Sequence, residues 1–211
     1  MSKIQEIAQV VENGKVKLIE GLVQEALDAG EDPNAILNEG MINAMGIVGA
    51  KFQANEIFVP EMLVAAKTMK KGVEILRPHL AGDSVGKHGK YIIGTVAGDL
   101  HDIGKNLVAL MIESAGFEVV DLGVDVEASV FVDAVREHKP KVLCMSALLT
   151  TTMPAMVEAM DLLRSGGLRD SVKVMVGGAP VNEAFCKEIG ADGYADDAAT
   201  GAEWAKNAAT A

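Results

Sequence analysis

Basic residues are in short supply. Nineteen Lys and Arg stand against thirty Asp and Glu, a formal net charge of −11. A nucleic acid or an anionic membrane is therefore not an expected partner, and a protein with a basic docking face suits the chain better. Cysteine is scarcer still. Cys144 and Cys186 are the only two; they fall in different predicted elements and lack C-x-x-C spacing, so they read as free buried thiols of a reducing cytoplasm. Zinc would need further ligands converging with a histidine, and neither cysteine is suitably spaced. No apolar run approaches the ~18 residues of a membrane span, and no basic stretch leads into an apolar signal core. The expectation is a cytoplasmic protein, neither secreted nor membrane-spanning. Aromatics are few at 4%, whereas methionine occurs eleven times, as suits a helical core with soft contact surfaces.

What remains is ample for folding. A hydrophobic content of 49% over 211 residues supports one large domain or two small ones. The first part is helical in pattern. Ile4, Ile7, Ala8 and Val11 share one face; Val16, Ile19, Leu22, Val23, Ala26 and Leu27 make a second. Asp32-Pro33 reads as an N-cap with proline in the first turn, followed by the stripe Ile36, Leu37, Met41, Met45, Val48 and Phe52. A fourth helix begins between Asn55 and Pro60, carries Met62, Ala66, Met69, Val73 and Leu76 on one face, and stops at Arg77-Pro78. Four antiparallel helices on short turns make a bundle. Residues 81–90 hold three glycines, an aspartate and a serine without apolar period, and read as a linker.

Strands and helices then alternate. Short apolar strands are expected at 91–96, 117–122, 141–148, 172–176 and 193–195, with a helix after each. The third is nearly continuous in apolar residues, as parallel strands buried on both faces are. Five such units give a Rossmann-like, flavodoxin-like α/β domain with a five-stranded parallel sheet. The expected division is a helical domain over 1–80, a linker over 81–90 and an α/β domain over 91–211.

The stretch from Tyr91 to Asn106 carries the chemistry. A strand runs into Gly98-Asp99-Leu100-His101-Asp102-Ile103-Gly104, an acidic, histidine-bearing turn at a carboxyl strand end, where open α/β sheets bind ligands. Gly98 and Gly104 flank the turn and let backbone approach something bulky. Asp99 can hold one ring nitrogen of His101 and leave the other to ligate a metal. The turn has no G-x-G-x-x-G for a dinucleotide and the chain has no Walker loop. A phosphoacceptor receiver would want an aspartate ending the third strand, where Ser146 to Thr152 stand instead. Each residue also has a plain structural use: His101 as a turn or cap, the methionine stripe as core, Gly177-Gly178 as a tight turn.

Asp99-x-His101-x-x-Gly104, then Ser146-x-Leu148, then Gly177-Gly178 resembles the motif series of cobalamin-binding domains that take the cofactor base-off. The resemblance covers roughly residues 4–208. It extends to Phe58-Val59-Pro60-Glu61-Met62, which is similar to the cap segment of methionine synthase and of small methyltransferase corrinoid proteins. The resemblance implies cobalamin or a related corrinoid, cycling between methylcob(III)alamin and cob(I)alamin, with His101 as lower cobalt ligand. It implies a His101–Asp99–hydroxyl relay with Thr152 where methionine synthase has serine. Gly98, Leu100, Asp102, Ile103, Gly104, Ser146, Leu148, Thr150, Gly177 and Gly178 would line the cofactor, and Phe58 and Met62 would shield its upper face. With no catalytic domain appended, the chain would be a methyl carrier of anaerobic one-carbon metabolism. Its partners would be a substrate-specific methyltransferase, a second methyltransferase serving a pterin or thiol, and a reductive activation protein. The rivals are a mutase small subunit, which would need a large barrel partner, and a cobalamin-dependent sensor, which would need a signalling module.

Overall fold

The structure is a computed structural model and describes residues 2–80 and 87–210. The chain divides into two compact units, residues 1–87 with 114–116 and residues 88–113 with 117–211. Most of the expected linker, residues 81–86, lies outside the described residues.

The first unit is all helix: α1 (Lys3–Glu12), α2 (Val16–Asp28), α3 (Pro33–Ala35) leading through a π-helical stretch (Ile36–Ile42) into α4 (Asn43–Gln53), and α5 (Val59–Leu76). Local signals set the ends. Ser2 and Gln5 form a capping box on α1, each side chain accepting the other's backbone N–H. Asp32 accepts the Asn34 N–H at 3.2 Å and Pro33 opens α3. The Glu61 carboxylate accepts the Phe58 N–H at 3.1 Å at the head of α5. The stripes expected from sequence are the ones buried: Ile7, Val11, Ile19, Val23, Ile36, Met41, Met45, Met62 and Leu76 are each 2% exposed or less.

One departure is physical. The spacing over 32–52 predicts an ordinary α-helix, yet Ile36–Ile42 is π-helical. Leu37, Met41 and Met45 recur every four residues, and a 3.6-residue turn would let that row drift off the core face. The wider π turn keeps all three buried.

The second unit is a parallel sheet flanked by helices. Its strands are β1 (Lys90–Thr95), β2 (Glu118–Asp121), β3 (Val142–Ser146), β4 (Lys173–Gly177) and β5 (Gly193–Tyr194). They are ordered β2-β1-β3-β4-β5 and all parallel. The helices are α6 (Ile103–Ser114), α7 (Ala128–His138), α8 (Met153–Ser165), α9 (Glu183–Ile189) and α10 (Ala198–Thr210). β2 is shorter than its apolar run because it is an edge strand whose end residues are exposed. α9 begins at Glu183, later than its apolar run, because Asn182 caps it by accepting the Phe185 N–H at 3.0 Å.

Phe131, Leu143, Met145, Met156, Met160, Val174 and Val176 share one fully buried cluster. Burial of such side chains contributes roughly 1.5–3 kcal/mol each. β1 and β3 are adjacent strands whose following connections diverge, one to β2 and one to β4. Their carboxyl ends therefore open a crevice at the point where strand order reverses.

Candidate functional site

Asp99 sits in that crevice, in the turn after β1, and is completely buried. Gly98 before it has φ +78°, a left-handed conformation that glycine takes without strain. The turn closes with the Asp99 N–H on the Val96 carbonyl at 3.1 Å. Each carboxylate oxygen then has its own set of donors. Oδ1 takes the His101 ring Nδ1 at 2.7 Å and the His101 N–H at 3.1 Å. Oδ2 takes the Leu148 N–H at 2.7 Å, the Leu149 N–H at 3.3 Å and the Thr152 hydroxyl at 2.9 Å. Burial pushes the Asp99 carboxyl up, but the bonds from Leu148, His101 and Thr152 outweigh it and hold the group well below the usual carboxylate range.

This arrangement assigns the tautomer of His101. An ionised carboxylate can only accept, so Nδ1 carries the proton and the Nε2 lone pair is left for a ligand. The Thr95 hydroxyl donates to the His101 carbonyl at 2.9 Å and fixes the backbone beneath the ring. The His101 side chain is 53% exposed. Around it stand apolar side chains open to solvent: Leu100 at 71%, Ile103 at 86%, and Leu148 and Leu149 at 42%. One imidazole nitrogen on an apolar rim fits a metal whose other positions a flat, largely apolar macrocycle already fills.

The remaining expected residues divide. Ser146 ends β3, half-buried, and its carbonyl accepts the Val96 N–H at 3.0 Å. Gly177 ends β4, and Gly178 follows at φ +123°. A Cβ at Gly178 would lie 1.8 Å from the Ala147 carbonyl oxygen, so no other residue fits there, and the β3 and β4 loops lie against each other without side chains between them. Asp102 belongs to α6 more than to the carboxylate cluster: Asn106 donates to it through backbone and side chain, at 2.7 and 3.1 Å. A Cβ at Gly104 would meet nothing within 4 Å, so the backbone approach expected there involves no neighbour in the chain. Thr150 makes no bond to Asp99; it lines an open groove of about 700 Å³ along α8 with Met153, Val157, Leu162 and Phe185. In the helical unit Phe58 is 63% exposed, whereas Met62 is fully buried and presents no surface in this conformation.

Three residues without a motif also belong to the site. From the β2–α7 turn, Asp125 accepts the Gly98 N–H with its carboxylate and donates its own N–H to the Asp99 carbonyl. Lys105 in α6, 3% exposed, reaches Asp121 at 2.5 Å and Asn106 at 2.7 Å. The sequence signal for them was slight: a lysine in the first turn of a helix, where a cation is disfavoured, and acids flanking Gly123.

Comparison with known proteins agrees with this geometry. Two family models, both described as a B12 binding domain, match residues 89–203 and 3–77. The chain is 44% identical over 184 residues to a trimethylamine corrinoid protein of Methanosarcina barkeri, covering 86% of this chain and 85% of that one. It superposes on a cobalamin-binding protein of Desulfitobacterium hafniense with a TM-score of 0.82 at 33% identity, covering 97% of this chain and 98% of that one. With the methanol:cobalamin methyltransferase complex MtaBC of Methanosarcina barkeri the TM-score is 0.87 at 33% identity, over 99% of this chain and 80% of that one.

Proposed function

This chain belongs to the corrinoid proteins built from B12-binding domains, and from that premise we propose that it is a methyl carrier between two methyltransferases. A substrate-specific methyltransferase loads it, and a second one passes the methyl group to a tetrahydrofolate-type pterin or a thiol. A reductive activation protein returns the carrier to use. When bound, the corrinoid would supply the methyl-transfer chemistry at its cobalt.

The protein's part is ligation and shelter. His101 would offer Nε2 to the cobalt, and Asp99 holds the ring by its Nδ1 proton at 2.7 Å. A carboxylate kept ionised strengthens the imidazole as a donor by stabilising positive charge on the ring. Thr152 and the Leu148 and Leu149 amides restrain that carboxylate, so its pull on the imidazole is moderate. The single Thr152 proton is shared in geometry between Asp99 and the Leu149 carbonyl, both at 2.9 Å. Leu100, Ile103, Leu148 and Leu149 give a ring an apolar bed, and Ser146 with the bare Gly178 backbone suits a slender tail along the sheet. In the same reading residues 1–80 act as a cap through Phe58.

The observation that carries the proposal is the His101–Asp99 pair: a half-exposed imidazole held by a buried, fully bonded carboxylate on an apolar rim. The experiment is reconstitution of purified apo-protein with methylcobalamin, desalting and a visible spectrum. Wild type should retain the cofactor with a histidine-ligated spectrum. His101→Ala should lose that spectrum and bind at least about tenfold more weakly, with unchanged far-UV circular dichroism. A histidine-ligated spectrum surviving in His101→Ala would remove His101 as the ligand.

A further inference from the structure

Asp125 stands in the turn between β2 and α7, outside every recognised motif, and clasps the turn that carries Asp99. Its N–H donates to the Asp99 carbonyl at 3.0 Å. Its carboxylate Oδ1 accepts the Gly98 N–H at 2.7 Å. The two bonds run in opposite directions across facing turns, so the two-residue segment Gly98-Asp99 is held at both its ends, by the Gly98 N–H and by the Asp99 carbonyl.

The clasp has a conformational cost. Asp125 lies at φ +54°, a left-handed region that L residues other than glycine, asparagine and aspartate rarely occupy. The turn around it is firmly seated. The Thr95 N–H donates to the Gly123 carbonyl and the Val126 N–H to the Thr95 carbonyl, each at 3.0 Å. Asp125 is thus presented from a backbone stitched to β1, immediately before the turn it grips. The other neighbour of β1 acts on a different part of Asp99: Leu148, Leu149 and Thr152 bond only its carboxylate. One flank fixes the side chain and the other fixes the backbone that aims it.

We infer that Asp125 is a positioning residue for His101, setting the aim of the Asp99 carboxylate, and through it the His101 ring, by clasping the Gly98-Asp99 segment at the Gly98 N–H and the Asp99 carbonyl. The inference deepens the methyl-carrier reading and rests on its assignment of His101 as the cobalt ligand. Without the acceptor at residue 125, the Gly98 N–H turns to solvent and the turn gains freedom. Asp99 can then no longer satisfy His101 and the β3–α8 amides at their best geometry together. The imidazole is consequently presented to cobalt a smaller fraction of the time.

Two substitutions isolate the effect. Asp125→Gly keeps the left-handed conformation without strain and removes the acceptor. Asp125→Asn keeps a side-chain oxygen for Gly98 and tolerates the same φ. Both are compared with wild type and His101→Ala as cobalamin-loaded protein reduced to Co(II). The readouts are the nitrogen splitting of the cobalt EPR signal, which reports axial imidazole, the Co(II)/Co(I) midpoint potential, and the thermal midpoint. In Asp125→Gly the ratio of histidine-bound to histidine-free cobalt should fall about fivefold, the weight of one hydrogen bond. Its potential should move toward that of His101→Ala, with Asp125→Asn close to wild type. A wild-type ratio in Asp125→Gly would overturn the inference. So would an Asp125→Asn as impaired as Asp125→Gly, because the negative charge and not the clasp would then be acting. A wild-type signal that persists in His101→Ala would overturn the parent reading itself, a separate result from either.

Discussion

Burying a carboxylate is tolerable only where hydrogen bonds replace its lost water. For Asp99 the donors are Leu148, Leu149, Thr152 and His101, the last twice. Since the folded state depresses this pKa, its contribution to stability is complete above the unfolded value near ~4 and is lost as pH falls below it. Asp99→Asn should cost the apo-protein about 2 kcal/mol at neutral pH, because an amide N–H₂ would face other donors. It should also remove this part of the acid sensitivity. Urea midpoints at neutral pH and near pH 3 test it: wild type should lose more than the variant between them. Equal losses would mean that the charge on Asp99 does not stabilise the fold. Of this site, His101 and Asp99 were legible from their two-residue spacing and Thr152 from the family pattern. The Leu148 and Leu149 amides were not, because a backbone N–H has no sequence signature.

At the scale of elements, the turn after β1 is held by what flanks it. Lys105 lies in the first turn of α6, against the helix dipole, and its side chain is 2% exposed. It is stabilised by Asp121 at the end of β2, whose other oxygen accepts the Gly123 N–H at 2.9 Å. Asp121→Asn would leave the ammonium with Asn106 and no counter-charge. The expected cost is about 2 kcal/mol, below that of a wholly buried pair because the Asp121 side chain is 39% exposed. An unchanged urea midpoint would show that Asn106 alone suffices. The π-helical stretch Ile36–Ile42 belongs to this scale as well. Its four-residue spacing was visible in sequence, but whether the helix drifts or widens is decided by the neighbours that must be packed; Gly40, for instance, lies against Ile4 and Ile7 of α1.

For the whole molecule, the helical unit and the α/β unit each bury apolar residues of their own, and no helix among the described residues is long and apolar enough to cross a membrane. The carrier reading gives the helical unit a protective role and gives Phe58 the leading part in it. Phe58 is 63% exposed, so Phe58→Ala should change stability by no more than about 0.5 kcal/mol. It should nonetheless hasten loss of the methyl group from methyl-loaded protein under light, by several-fold. Equal photolysis rates would take Phe58 out of the cap.

The amino-acid order by itself determined the helical half, the alternation of strands and helices, and three motifs at successive strand ends. These are local matters: burial periodicity, caps, and residue types within a few positions of one another. Tertiary structure alone decided which groups meet. The Thr152 hydroxyl and the Leu148 and Leu149 amides reach Asp99 across separations of 49 to 53 residues, and Asp125 grips Gly98 across 27. Those meetings follow from parallel register, which sets β1 beside both β2 and β3 and brings their carboxyl ends level. Hydrogen bonds between loops depend on that alignment, and no pattern confined to one segment encodes it.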